Sequence, residues 1–101
     1  MIIVTGSVTA RPEALADLTQ LALEHVHRSR LEPGCLLHSA HQDLENPHRL
    51  VFLECWLDRD ALKVHFRVPE SRAFAKALTS LASQPTTLEI YEAEQVELQH
   101  L

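Results

Sequence analysis

The run Leu50-Val51-Phe52-Leu53-Glu54-Cys55-Trp56 is apolar throughout except for one carboxylate. A carboxylate among apolar neighbours is costly unless it is paired or hydrogen-bonded. Glu54 is therefore expected either to orient a base or substrate hydroxyl in a pocket, or to close an ion pair across the sheet or a subunit interface. His65 follows Ala61 by one helical turn and stands beside Phe66. Imidazole exchanges protons near neutral pH, so His65 is the leading candidate for a general base. Its alternative role is that of a helix histidine donating to a backbone carbonyl. His38 shares strand parity with Leu36 and Ala40 and is a candidate polar contact to substrate, although it and His41 also read as partly exposed strand residues. Trp56 and Phe66 are core candidates that would also form the walls of a pocket for a flat aromatic ligand.

Seven histidines in a chain this short raise the question of a metal. His25 and His27 lie two apart on a helical stretch, and His38 and His41 three apart on a strand. Either spacing sends the two side chains to different faces. No cysteine or carboxylate completes a familiar zinc spacing, so no metal is expected. The chain also lacks a G-x-G-x-x-G segment, a P-loop and a nucleophile elbow, and no nucleotide or flavin cofactor is expected either. Cys35 and Cys55 belong to no Cys-x-x-Cys pair. Across a hairpin they could be near neighbours, which leaves a disulfide open beside the plainer reading of two reduced, half-buried small hydrophobes.

The elements that must position these residues follow from periodicity. Residues 2–10 alternate, with Ile2, Val4, Gly6, Val8 and Ala10 on one side, and read as a strand. Pro12 and Glu13 suit a first helical turn. Leu15, Leu18, Ala22 and Val26 then make a helical stripe to about Arg30, with His25 at its margin, before Glu32-Pro33-Gly34 stops the helix. Residues 35–43 and 49–57 read as a hairpin whose second, nearly all-apolar strand should be central. Asp58 is placed to cap a short helix carrying Leu62, His65 and Phe66. Val68-Pro69 breaks that helix, a second follows from about Glu70, and residues 87–96 form a last strand. The order β-α-β-β-α-β, with its second crossover broken in two, is the ferredoxin-like split pattern, an α+β arrangement with helices on one face of an antiparallel sheet.

The chain is expected to be a single domain spanning residues 1–101, with 46% hydrophobic and 23% charged residues. A net charge of -5 and scattered basic residues argue against nucleic acid as a partner. No apolar run approaches the ~18 residues of a membrane span, and the start lacks signal-peptide features. A cytoplasmic protein without a membrane partner is expected. The uncovered sheet face still carries apolar residues, so a two-fold homodimer is expected to bury it.

Glu32-Pro33-Gly34-Cys35-Leu36, Phe52-Leu53-Glu54-Cys55-Trp56, the helix pair from Asp60 through His65, Phe66 and Pro69 to Phe74, and Ile90-Tyr91-Glu92 occur in this order. Together they resemble the antibiotic biosynthesis monooxygenase family over Ile2 to Glu92. The resemblance implies a dimeric α/β barrel with a pocket between helices and sheet, but not one activity. Members of that family include cofactor-free monooxygenases of anthrone- or quinol-like aromatics, haem-degrading enzymes and an isomerase of a phosphorylated signalling sugar. Ser7 stands where some haem-degrading relatives carry asparagine, and is a candidate substrate contact. Phe74 and Ala75 stand where those relatives place a haem-ligating histidine, so haem degradation is not expected.

The leading expectation is a cofactor-independent monooxygenase that oxidises an electron-rich phenolic or quinol-type small molecule with O2. His65 would serve as base, Glu54 would hold His65 or the substrate, and Trp56, Phe66, His38 and Ser7 would line the pocket. The alternatives are an isomerase of a small phosphorylated sugar, with Arg67 or Arg72 at the pocket mouth, and a non-catalytic dimer that binds an apolar ligand.

Overall fold

The computed structural model describes residues 1–101. Strand β1 (Ile2–Thr9) leads through one 3-10 turn (Pro12–Ala14) into helix α1 (Leu15–Ser29). Strands β2 (Cys35–Gln42) and β3 (Arg49–Trp56) form the hairpin, helices α2 (Arg59–Arg67) and α3 (Pro69–Leu81) the broken crossover, and β4 (Thr87–Glu92) the last strand. The sheet is antiparallel with order β2-β3-β1-β4. This is the expected ferredoxin-like α+β fold.

Local chemistry accounts for the element ends. The Asp58 side chain accepts the Ala61 N–H at 2.9 Å and caps α2. Pro69 occupies the first turn of α3, where a missing N–H costs nothing. Pro12 does not open α1 itself, because the Ala14 N–H bonds back to the Arg11 carbonyl and closes a separate 3-10 turn. β4 stops at Glu92, short of the expected residue 96, because Glu92 pairs with Ile2 and β1 offers no strand residue beyond it.

The strict alternation of β1 puts Ile2, Val4 and Val8 into the core against the helices. Leu18, Ala22 and Val26 of α1 meet them from above, with Leu50, Phe52 and Trp56 of β3 beside. Burying one such side chain is worth about 1.5–3 kcal/mol, and this shared face anchors the helices to the sheet.

Two backbone features set the geometry of the site. Gly34 has φ of 81°, and a Cβ there would come within 2.6 Å of the Ala61 Cβ. Only glycine lets the chain leave α1 this close to α2. The second is a β-bulge between Cys35 and Leu37, where the β2–β3 register moves by one residue and His38 comes opposite Glu54. Without it His38 would lie opposite Leu53, on the outer face.

The bulge also bears on the cysteines. Cys35 packs against the core cluster of Ile2, Val4, Trp56 and Leu62. Cys55 alternates with the buried Glu54 and Trp56 and so lies on the opposite face, its Sγ 3.2 Å from Met1 Sδ. Both thiols are free, and a bridge between them would have to pass through the sheet.

Candidate functional site

Four elements converge on a buried polar cluster. α1 brings His25, three residues after Ala22 on its apolar face. β2 brings His38 and β3 brings Glu54, paired in register. α2 brings His65, three residues after Leu62 and on the same side. All four are buried, with His38 and His65 each only 2% exposed. The three imidazole rings form a triangle with centroid separations of 5.1, 5.4 and 5.6 Å.

His65, Glu54 and His25 are held from outside the triangle. His65 Nδ1 lies 3.0 Å from Glu32 Oε1, which comes from the turn after α1. A carboxylate only accepts, so Nδ1 carries a proton, and in the neutral ring Nε2 keeps its lone pair. That Nε2 lies 3.8 Å from Glu54 Oε1. The Trp56 indole N–H donates to the same Glu54 oxygen at 2.9 Å. His38 Nε2 approaches it at 3.4 Å without hydrogen-bond geometry, and neither ring nitrogen of His38 has another partner. His25 stacks on Phe74 of α3, with ring centroids 4.0 Å apart, and its Nδ1 accepts from Arg28 at 2.8 Å.

The electrostatics follow from burial and neighbours. Desolvation, then the charges of His38, His65 and Arg28, push the His25 imidazole down from 6.5 to about 3. For Glu54, burial pushes the carboxyl up. The His38 contact, the Trp56 N–H and the His65 charge together outweigh it, and Glu54 stays below the usual carboxylate range.

The cluster opens on a cavity of about 300 Å³ between α2, α3 and the sheet. His25, Glu54 and His65 form its inner end, and Phe52, Phe74 and Leu78 its apolar wall. Ser71, Arg72 and Thr79 supply polar groups, and Ser71 Oγ is buried without a partner. Gly6 lets β1 and β4 close the far side, since a Cβ there would stand 3.1 Å from the Thr87 carbonyl oxygen.

The candidates taken from the sequence fall into three groups. His65, Glu54 and His38 are brought together. Phe66 borders the cavity; Ser7 lies at its edge beside Gly6, but its hydroxyl engages Thr87 at 2.7 Å on the sheet face away from the helices. Trp56 does not line the cavity: it is 0% exposed and packs beneath the site, with its ring 4.5 Å from that of His65 and its N–H on Glu54. It therefore supports the polar cluster and offers no face to a substrate.

Glu32, His25, Phe74 and Ser71 were not legible as site residues. Glu32 looked like part of a helix stop, and His25 only like the margin of an apolar stripe. The group that holds His65 is Glu32 at 3.0 Å, whereas Glu54 is 3.8 Å away. The spacing argument against metal holds for the pairs it considered: His27 is exposed on α1, and His41 bonds Ser39 on the other sheet face. It did not reach His25, His38 and His65, which come from three elements and place one ring nitrogen each within 4.8 Å of the others.

The chain as a whole is similar to known proteins of one family. A family model described as antibiotic biosynthesis monooxygenase matches residues 1–77, a span that holds every member of the polar cluster. A candidate antibiotic biosynthesis monooxygenase from Deinococcus radiodurans is 30% identical, with a TM-score of 0.90 over 96% of each chain. The crystal structure of another antibiotic biosynthesis monooxygenase is 28% identical, with a TM-score of 0.86 over 94% of this chain and 100% of that one. An uncharacterized protein of Synechocystis sp. is 30% identical over 91 residues, which are 90% of this chain. The chain spans 62% of the length of that relative.

Proposed function

The chain belongs to the antibiotic biosynthesis monooxygenase family, and we propose that it oxidises an electron-rich phenolic or quinol-type small molecule with O2 and without a cofactor. The observation that carries this reading is His65, a cavity-lining imidazole whose Nδ1 is held 3.0 Å from the buried end of Glu32. That contact orients the ring and stabilises the imidazolium formed when Nε2 takes a proton.

The reaction then needs little else from the protein. Nε2 of His65 removes the acidic proton of the substrate. The resulting enolate or phenolate passes one electron to O2, and the substrate radical and superoxide recombine as a peroxide. With the proton returned by His65, the peroxide loses water, so one oxygen atom remains in the quinone and the other leaves as water. Glu54 accepts a hydrogen bond from a substrate hydroxyl, His38 keeps Glu54 charged, and Phe66 with Phe74 stacks against the ring. The apolar wall excludes bulk water from the radical pair. Ser7, whose hydroxyl engages Thr87 on the other sheet face, has no part in the step.

One observation favours a second reading. Arg72 stands on the cavity wall with Ser71 and Thr79, a set suited to an anionic, polyhydroxylated ligand. An isomerase of a phosphorylated sugar would use His65 for proton transfer without O2, and Arg72→Gln would abolish its binding while leaving quinol oxidation intact.

The working form is proposed to be a cytoplasmic homodimer. Ile3, Leu37, Val51, Leu53 and Tyr91 share the sheet face away from the helices, where Leu53 is 39% exposed, and a second copy would bury them. No helix is long and apolar enough to cross a membrane.

The deciding experiment is oxygen uptake by the purified, metal-stripped protein with a panel of anthrones and quinols, compared with His65→Ala of matched folding. Uptake above autoxidation that falls in the variant supports monooxygenase and base together. Uptake indifferent to the variant removes His65 as base, and no uptake across the panel removes the monooxygenase reading.

A further inference from the structure

His25, His38 and His65 are joined by a fourth potential donor. Glu54 Oε1 lies 3.4 Å from His38 Nε2 and 3.8 Å from His65 Nε2. The ligating nitrogens of the three histidines lie within 4.8 Å of one another. His38 adds a second sign: its side chain is fully buried, its Nδ1 has no partner, and its Nε2 meets only Glu54, at 3.4 Å and without hydrogen-bond geometry. A buried imidazole left unpaired is destabilising, and native proteins seldom keep one without a ligand. Glu32 completes the pattern, because a metal-ligating histidine commonly donates its other ring N–H to a carboxylate, as His65 Nδ1 does here.

We infer that His25, His38 and His65, with Glu54 beside the last two, form a binding site for a divalent first-row transition ion at the inner end of the cavity. Three imidazoles and one carboxylate suit zinc, cobalt, nickel or iron, whereas calcium and magnesium want oxygen ligands. A tetrahedral ion with bonds near 2.0–2.1 Å requires donors about 3.3 Å apart. The histidines therefore close in by on the order of 1 Å when the ion enters, a movement that ring rotation supplies.

One contact opposes the ion. Arg28 Nη2 lies 2.8 Å from His25 Nδ1, and a guanidinium only donates. His25 therefore carries its ring proton on Nε2, and ligation through either nitrogen breaks the Arg28 bond. Arg28 is thus a built-in competitor that weakens the site. The ion also competes with the base role of His65, since one Nε2 lone pair cannot hold both a proton and a metal. Ion binding itself does not depend on the monooxygenase reading; only the inhibition of oxygen uptake does.

The test uses the full chain, stripped with chelator and titrated with Co2+, followed by visible absorption and by calorimetry with Zn2+. One Co2+ per chain is expected, giving ligand-field bands. Affinity should fall roughly 100-fold in His38→Gln and in Glu54→Gln, stay within about twofold in His27→Gln and His41→Gln, and rise about tenfold in Arg28→Met. Circular dichroism checks that each variant is folded. Should His38→Gln fail to fold, imidazole proton resonances of the wild type give the same answer, because Co2+ should broaden those of His25, His38 and His65 first. Broadening confined to His27, His41, His48 and His100, or affinity indifferent to His38→Gln, would overturn the site. Oxygen uptake by the stripped protein alongside failed ion binding would overturn it while leaving the proposed reaction standing.

Discussion

Glu32 and His65 stand 33 residues apart in the chain, yet their side chains meet at 3.0 Å, Oε1 to Nδ1, where almost no solvent reaches His65. Glu32 sits in the turn that ends α1 and His65 on the inner face of α2, and the close passage at Gly34 brings the two elements together. The pairing fixes the tautomer of His65 and directs its free nitrogen toward Glu54. Its consequences can be measured.

Glu32→Gln keeps a hydrogen-bond acceptor for Nδ1 but removes the negative charge that stabilises an imidazolium. The kcat for quinol oxidation should fall about 10–100-fold with little change in KM. Steady-state oxygen uptake on the folded variant measures this, and an unchanged kcat would remove Glu32 from the mechanism.

Gly34→Ala forces a residue into positive φ and drives its Cβ to 2.6 Å from that of Ala61. The strain and the clash together should cost about 1–3 kcal/mol. Urea unfolding reports the loss. Because α2 must shift to relieve the clash, activity should drop even where the variant remains folded.

Acid should weaken the fold well before ordinary carboxylates titrate. His25 titrates at 6.5 when unfolded and is pushed down to about 3 in the folded chain. A depressed folded value means the unfolded state binds the proton first, so the stability is complete above 6.5 and is lost as pH falls toward 3. Between pH 7 and pH 5 the chelator-treated protein should lose on the order of 1–2 kcal/mol. Glu54, also held low, adds a further loss at more acid pH. Urea midpoints at the two pH values check this, and in His25→Gln their difference should shrink; an equal difference would assign the acid sensitivity elsewhere.

Leu53→Asp places a charge at the centre of the outer sheet face, on a side chain 39% exposed in the single chain. It should convert the proposed dimer to a monomer in light scattering at micromolar concentration while leaving the secondary structure intact. A wild type already monomeric under those conditions would remove the dimer.

Much of the fold was legible because its signals are local. Alternation in β1 and the stripe of Leu15, Leu18, Ala22 and Val26 state a period and a buried face within a few residues of chain. Pro12, Asp58 and Pro69 mark starts through chemistry that needs no tertiary context. Glu54 stood out for the same reason, as one charge in an apolar strand, and His65 as an imidazole on an inward helix face.

The partners of those two residues were decided only by tertiary structure. A period tells which face a side chain occupies, not which residue of another element it meets. The one-residue bulge at Cys35–Leu37 turns His38 inward to Glu54, and strand parity alone cannot reveal a register shift. His25, His38 and His65 come from α1, β2 and α2, so no spacing along the chain encodes their triangle. Glu32 looked like turn punctuation because its role depends on where α2 packs. Period and residue type along the chain dictate the elements, their faces and the two conspicuous polar residues. Packing of those faces decided which polar groups lost water together, and that shared desolvation makes them a site.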